Sequence, residues 1–180
     1  MTLDATAVTA LIATAATPAG PFTVVAVPRT DGRDGHAVLA SGWTDDPDTL
    51  LPLVAPSLRP QSTRTVTTVP GISASVTAYH EGDLAVIDEV SVTQRSGPFL
   101  NHAWDVLRSV PAGTTVTYTE LAAKAGRPSA VRAAGSACSK NAAALFVPCH
   151  RVLPAGGGVG GFRWGSTVKS WLLEHEDRGL

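Results

Sequence analysis

Cysteine is nearly absent from this chain: among 180 residues there are two, Cys138 and Cys149. Two thiols cannot build a disulfide framework or a four-cysteine zinc site. A Cys138–Cys149 disulfide would be out of place in a reducing cytoplasm. Long apolar runs are also missing. None reaches the roughly 18 residues a membrane span needs, so no membrane partner is expected. No Lys or Arg precedes Arg29, and a secretory signal needs a basic flank, so a cytoplasmic protein is expected. Internal repeats and low-complexity tracts are lacking as well. What is present is a chain with 44% hydrophobic residues, enough for a substantial core in one domain or two small ones.

The net charge of −1 hides an asymmetry. Residues 1–90 carry four basic side chains (Arg29, Arg33, Arg59, Arg64) against ten acidic ones, whereas residues 91–180 carry ten basic against five acidic. A basic half on a near-neutral protein is compatible with a polyanion site confined to that half.

The first half reads as strands with turns. Leu11 to Thr17 and Phe22 to Val27 flank Pro18-Ala19-Gly20, a hairpin signal, and His36 to Trp43 is a third strand. Asp46-Pro47-Asp48 opens a helix containing Leu50, Leu51, Leu53 and Val54. Ile72 to His80 and Leu84 to Val92 alternate as two further strands around Glu81-Gly82-Asp83. His36 and His80 fall in no catalytic pattern and read as surface residues.

The composition changes at Gln94-Arg95-Ser96-Gly97-Pro98, a linker, and helices follow. Phe99 to Val110 carries Leu100, Ala103, Trp104 and Leu107 at the spacing of one buried face. Thr117-Tyr118-Thr119-Glu120 fits a capping box, opening a short helix to Ala125. A break at Gly126-Arg127-Pro128 precedes a second helix to about Ser139, and two short helices around a Gly-containing turn suggest helix-turn-helix. On that second helix Val131, Ala134 and Cys138 should pack inward. Arg132, Gly135, Ser136 and Ser139 share an outer face almost free of bulk. Such a face lacks the long polar side chains that read base edges, but it lets a DNA backbone come close. Taken alone, Arg132 also reads as an ordinary surface arginine.

The chemistry centres on Val147-Pro148-Cys149-His150-Arg151-Val152. Cys149 follows an apolar run, Ala142 to Val147, and precedes the glycine-rich stretch Gly156 to Gly161, where main chain can approach a ligand. A cysteine beside a strand is commonly an inert hydrophobe. In the last helix, however, Val168, Trp171, Leu172 and His175 share a face, and Glu176 projects at its edge. An inward carboxylate needs a partner, and His150 could supply it, giving the order orienter, base, nucleophile. A Cys–His hydrolase could use the same triad, but it would need an oxyanion hole and would have no use for the smooth Arg132 helix. An interaction-only protein is a further alternative.

These residues resemble the O6-alkylguanine-DNA alkyltransferase family, also called methylated-DNA–protein-cysteine methyltransferases. The likeness covers Phe99 through Glu176. It includes the Trp104 helix, Val110-Pro111-Ala112-Gly113, Thr117-Tyr118, Arg127-Pro128 through Gly135, Asn141, Pro148-Cys149-His150-Arg151-Val152, Gly160-Gly161-Phe162-Arg163-Trp164-Gly165, and Lys169 with Trp171-Leu172-Leu173. In the first half only Thr17 to Pro21 is similar. The resemblance implies an α+β protein. A small N-terminal mixed α/β domain with an antiparallel sheet, ribonuclease H-like, would span residues 1–94, and a mostly helical C-terminal domain with a helix-turn-helix would span 95–180. It also implies a monomer needing no metal or cofactor, whose partner is double-stranded DNA containing O6-alkylguanine.

The resemblance assigns roles to residues. Cys149 would accept the alkyl group once and irreversibly. His150 would deprotonate it through a water, Glu176 would hold the imidazole, and Asn141 would brace the turn. Tyr118 would help extrude the base and protonate it, and Arg132 would fill the vacated stack. Ala130, Gly135, Ser136 and Arg151 would also meet DNA. Val152, Val159, Phe162, Arg163 and Trp164 would line a guanine pocket. O4-alkylthymine is implied as a second substrate. Alkyltransferase-like proteins, which bind without repairing, lack the cysteine. The chain departs from the family pattern at Ala142, where proline is common, at Ala144, where the pocket wall is smaller, and at Phe162, where tyrosine is common. Arg163-Trp164 resembles the version in the C-terminal domain of the bacterial adaptive-response protein. Cys138 reads as structural.

Overall fold

The computed structural model describes residues 8–179. Two β-branched, alanine-rich strands, β1 (Thr9–Thr17) and β2 (Gly20–Pro28), form the expected hairpin. Thr17 pairs with Gly20 across Pro18-Ala19, and Gly20 has φ +116°, a conformation glycine adopts without a Cβ penalty. β3 (His36–Gly42) lies antiparallel on β2. A short strand not expected from the sequence, β4 (Ser62–Thr65), pairs parallel with β1, so the sheet runs β3-β2-β1-β4 and is mixed rather than antiparallel. All four β4 residues are exposed, which is why no apolar alternation marks it.

Four further expectations for this half are corrected. Residues 47–58 do not form one helix but three single turns of 3₁₀ helix, each opened by or containing proline: Pro47, Pro52 and Pro56. Repeated loss of the amide donor prevents a continuous α-helical ladder. The segment expected as a strand at 72–80 is a helix, α1 (Ile72–His80). Its buried residues Ile72, Ser75, Val76, Tyr79 and His80 follow a helical period. His80 is therefore no surface residue; it is 9% exposed and stacks on Trp171 at 5.6 Å. Leu84–Glu89 is 3₁₀ helix, and only Val92 beyond it makes a bridge, to Val38 of β3.

The second half follows its periodicity more closely. α2 (Pro98–Arg108) buries Ala103, Trp104 and Leu107. β5 (Val116–Thr117) leads into α3 (Tyr118–Lys124), whose capping box is present: Thr117 Oγ1 accepts from Glu120 N–H, and Glu120 accepts from Thr117 N–H. Residues 125–130, with Gly126 at φ +80°, join it to α4 (Val131–Ser139). On α4 the buried side chains are Ala134 and Ala137, and Val131 is 38% exposed rather than inward. Ala134 packs inward as expected, but its buried neighbour is Ala137 rather than Val131 or Cys138; Trp104 donates its indole N–H to the Ala137 carbonyl at 2.8 Å on that edge. β6 (Val152–Leu153) pairs with β5, and α5 (Ser166–Arg178) ends the described chain. One hydrophobic cluster contains Phe22, Val38, Tyr79 and Ile87 together with Leu107, Phe146 and Leu172, so the core crosses the linker at 94. No helix of the described residues is long and apolar enough to cross a membrane.

Candidate active site

Residues 141–150 are buried without exception, although they contain little regular structure. Buried backbone must find partners, and here polar side chains provide them. Asn141 Nδ2 donates to the Val147 carbonyl at 2.8 Å, and Asn141 Oδ1 accepts from Ala143 N–H at 3.1 Å, closing the turn that presents Cys149. Leu145 within it has φ +76°, an uncommon conformation for a branched side chain. The first half braces the same turn from behind. Gln94 is doubly bonded, Nε2 to Asn141 Oδ1 at 3.0 Å and Oε1 from Ala142 N–H at 2.8 Å. Ser41 of β3 donates its N–H to the Ala142 carbonyl and its hydroxyl to the Ala144 carbonyl.

Cys149 opens a 3₁₀ turn that carries His150 and Arg151 inward. His150 is fully buried, and its Nε2 lies 2.8 Å from Glu176 Oε1. An ionised carboxylate can only accept, so the ring proton sits on Nε2. Nδ1 is left buried without a hydrogen-bond partner. Arg151, expected at the DNA surface, is corrected: it is 1% exposed. Its guanidinium forks onto Glu176 through Nε (3.0 Å) and Nη2 (2.8 Å) and donates to the Val110 carbonyl through Nη1. A buried guanidinium needs a carboxylate, and Glu176 is where the turn points it. Tyr79 Oη donates to Glu176 Oε1 at 2.7 Å, and Gly113 N–H approaches Oε2 at 3.4 Å.

The electrostatics follow from burial. Burial alone would raise the Glu176 carboxyl, but the hydrogen bonds and charge from His150 and Arg151 outweigh it and hold it well below the usual range. Burial pushes the Cys149 thiol up, opposed by a hydrogen bond from Asn141 and by the charges of Lys169 and Arg163. Burial also pushes His150 down, against the pull of Glu176. The resting pair at neutral pH is therefore a neutral thiol and a neutral imidazole.

Cys149 lies on the wall of a cavity of about 310 Å³. Of the residues expected in the pocket, Phe162, Arg163 and Trp164 line it, together with Tyr118 and Asn141, expected in catalytic roles, and Gly135, expected to face DNA. Val152 does not: it is fully buried behind the cysteine turn, where its carbonyl accepts from Lys169 Nζ at 2.8 Å. Val159 is half-buried outside the lining. Cys138, expected to be purely structural, is only partly buried and faces the same cavity. Arg163 reaches across to the Ser139 carbonyl at the end of α4. On the outer side, Arg132 is exposed, and Ala130, Gly135 and Ser136 beside it are partly so.

The wall opposite α4 is held by the first half. Trp43 packs against Phe162 with ring centroids 6.0 Å apart, and the Trp164 indole lies on Gly42 so closely that a Cβ there would sit 2.1 Å from its Cζ2. Gly42→Ala is accordingly expected to displace Trp164 and to cost about 1–3 kcal/mol, as overpacked sites do. Urea denaturation of the variant and its parent measures it; equal midpoints would mean the indole moves freely.

Comparison with known proteins agrees with this geometry. Residues 98–178 match the family model described as 6-O-methylguanine DNA methyltransferase, DNA binding domain. The methylated-DNA–protein-cysteine methyltransferase of Salmonella typhimurium is 36% identical over 163 residues, which cover 89% of this chain and 92% of that protein. The crystal structure of Mycobacterium tuberculosis O6-methylguanine methyltransferase superposes with a TM-score of 0.74 at 27% identity, covering 95% and 94% of the two chains. A second crystal structure of the M. tuberculosis protein, in complex with DNA, superposes with a TM-score of 0.73 at 26% identity over 94% of each chain. With Cys149 on the cavity wall, a buried His150–Glu176 pair beginning at the next residue, and a relative matched over nearly its whole length, the chain belongs to the methylated-DNA–protein-cysteine methyltransferase family.

Proposed function

We propose that the protein binds double-stranded DNA containing O6-alkylguanine, turns the damaged base into the 310 Å³ cavity, and moves its alkyl group to Cys149 Sγ in a single irreversible turnover. The observation carrying this reading is the position of Cys149 on the cavity wall, in one 3₁₀ turn with His150, whose Nε2 lies 2.8 Å from Glu176 Oε1. O4-alkylthymine is a second substrate of the same chemistry.

In the transfer, Sγ attacks the alkyl carbon, the C–S bond forms, and the C–O6 bond breaks in line with it. The thiol gives up its proton to His150, whose unpartnered Nδ1 is the free acceptor, directly or through one water. The departing guanine takes up a proton, so that overall the thiol proton ends on the base. Tyr118 is the donor: burial and the neighbouring thiols raise its phenol, which keeps it protonated at neutral pH, and the phenolate left behind regains a proton through solvent as the His150 imidazolium releases one. Full ionisation of an ordinary thiol would gain at most about thirtyfold at pH 7, whereas enzymes gain about a millionfold or more. A thiol raised by burial has still less standing thiolate. Deprotonation is therefore coupled to attack, and most of the acceleration comes from alignment and from protonating the leaving base. A thioether offers no leaving group, so the protein is consumed. The scheme needs no cofactor.

On the outside, the smooth Gly135–Ser136 face of α4 lets the sugar-phosphate chain approach the minor groove, and Arg132 enters the stack. Residues 95–180 supply the DNA surface and residues 1–94 the brace behind it. The protein acts as a monomer in the cytoplasm.

The test is direct. After incubation with duplex DNA containing O6-methylguanine, the tryptic peptide Asn141 to Arg151 should carry one methyl group, stoichiometric with protein and absent in Cys149→Ser. Multiple turnovers, or an unmodified peptide beside lesions bound by the protein, would reject the proposal.

A further inference from the structure

Tyr79 lies in the half of the chain that carries none of the reacting groups, yet its hydroxyl and its backbone carbonyl are both tied to α5. Its hydroxyl donates to Glu176 Oε1 at 2.7 Å, and its backbone carbonyl accepts from His175 Nε2 at 2.7 Å. The side chain is fully buried, its ring edge-on to His175 at 5.3 Å and to His80 at 5.2 Å. The ring is thus held by packing, and the hydroxyl has one acceptor. That acceptor is the same oxygen that His150 Nε2 approaches at 2.8 Å and Arg151 Nη2 at 2.8 Å. Three donors converge on one carboxylate oxygen.

We infer that Tyr79 is a positioning residue for Cys149, its hydroxyl fixing the Glu176 oxygen toward His150 and limiting how strongly that carboxylate raises the basicity of the imidazole. Glu176 has to do two opposed things. It must stay ionised to support an imidazolium as the thiol proton arrives, and it must not bind that proton's charge so strongly that His150 is already protonated at rest. A donor on Oε1 withdraws negative charge from the side facing His150. Arg151 does the same from the other side, but Arg151 cannot be altered without leaving Glu176 buried and unpaired. Tyr79 can: phenylalanine keeps the ring contacts and removes only the hydroxyl.

The sign of the effect follows from the groups facing this pair. His150 is faced by Glu176 and Lys169 from α5 and by Arg151 from its own turn; Glu176 is faced in addition by Tyr79 from α1. Removing the tyrosine hydroxyl leaves Arg151 and Lys169 unchanged and makes Glu176 a stronger acceptor for the imidazole. The proton affinity of His150 then rises. An imidazole already protonated cannot take the thiol proton, so the acid limb of Cys149 reactivity moves to higher pH.

This inference rests on the proposed pairing of His150 with Cys149, and a probe that needs no DNA separates the two. The rate of Cys149 carbamidomethylation by iodoacetamide is measured against pH for the full-length parent and Tyr79→Phe by mass spectrometry of the Asn141–Arg151 peptide. Cys138, in a different tryptic peptide, serves as the internal reference. Methyl transfer from O6-methylguanine duplex DNA is followed on the same preparations. The expected result is an acid limb displaced upward by about half a pH unit in Tyr79→Phe, a roughly threefold change in the proton equilibrium, with the Cys138 profile unmoved. Superimposable limbs, or a uniform loss of rate at every pH, would overturn the inference, since either outcome leaves Tyr79 a packing residue only. A displaced iodoacetamide limb in a protein that transfers no methyl group would uphold Tyr79 and reject the DNA substrate instead.

Discussion

Glu176→Leu is expected to lower stability by about 3–5 kcal/mol, the range seen when one partner of a buried ion pair is removed. It should also abolish measurable alkyl transfer at temperatures where the variant stays folded. The carboxylate collects five hydrogen bonds, from Tyr79, His150, Gly113 and twice from Arg151. Leucine fills the volume but leaves the Arg151 guanidinium buried without its anion and the Tyr79 hydroxyl without an acceptor. The penalty is mainly the desolvation of those orphaned groups rather than the loss of attraction.

The pH dependence distinguishes this cause from lost packing. The folded-state carboxyl of Glu176 is held well below the ordinary value of about 4.3. Its contribution is therefore complete above that ordinary value and is lost as pH falls toward the folded one. Denaturation of the parent should become steeply pH-dependent below about pH 4, and Glu176→Gln should lose that part of the slope while keeping the shape of the side chain. Equal slopes in parent and Glu176→Gln would place the acid sensitivity elsewhere.

That network also explains what was legible in the sequence. Cys149, His150 and Glu176 could be brought together because a helical period and a contiguous motif are both local signals. The capping box at Thr117–Glu120 was equally plain, since the chemistry lies within four residues. Tyr79 carried no such signal. Its hydroxyl meets a residue 97 positions away, and its own segment could not be assigned by periodicity: Ile72 to His80 is nine residues long, short enough for alternation and helical spacing to coincide. Gln94, Ser41 and Gly42 were silent for the same reason, each acting on the cysteine turn or the pocket wall across a long loop of chain. A charged residue beside a catalytic motif suggests a ligand contact, whereas the partner of Arg151 is the same carboxylate that holds His150.

The acidic first half, unexplained by any motif, thus has a structural role that charge alone does not reveal. Ser41 and Gln94 satisfy the backbone of the turn, Gly42 and Trp43 back the Trp164 and Phe162 wall, and Tyr79 meets Glu176. In the second half the basic residues divide in two. Arg151 and Lys169 are buried and neutralise or clamp internal groups, whereas Arg132 and Arg163 are exposed near the cavity mouth. The count of positive charges available to DNA is smaller than the sequence suggests.

Arg132 is the exposed cation for which the proposed mechanism makes the sharpest demand. It sits in the first turn of α4 with no carboxylate partner among the described residues, above a face where Gly135 and Ser136 add no bulk. Extruding a base costs a few kcal/mol of stacking and pairing, and a side chain that fills the gap returns part of it. Arg132→Ala should therefore slow repair of O6-methylguanine in duplex DNA by about ten- to a hundredfold, equivalent to roughly 1.4–2.7 kcal/mol of lost transition-state stabilisation. Attack on the free base O6-alkylguanine needs no extrusion and should fall less than threefold, since α4 packs through Ala134 and Ala137 and the cavity is untouched. Lys at this position keeps the charge but not the planar fork, so it should restore the salt dependence of binding more fully than the rate. Equal losses on duplex and free base would assign Arg132 to the pocket rather than to the stack. A loss that disappears at saturating DNA would reduce its role to holding the phosphates.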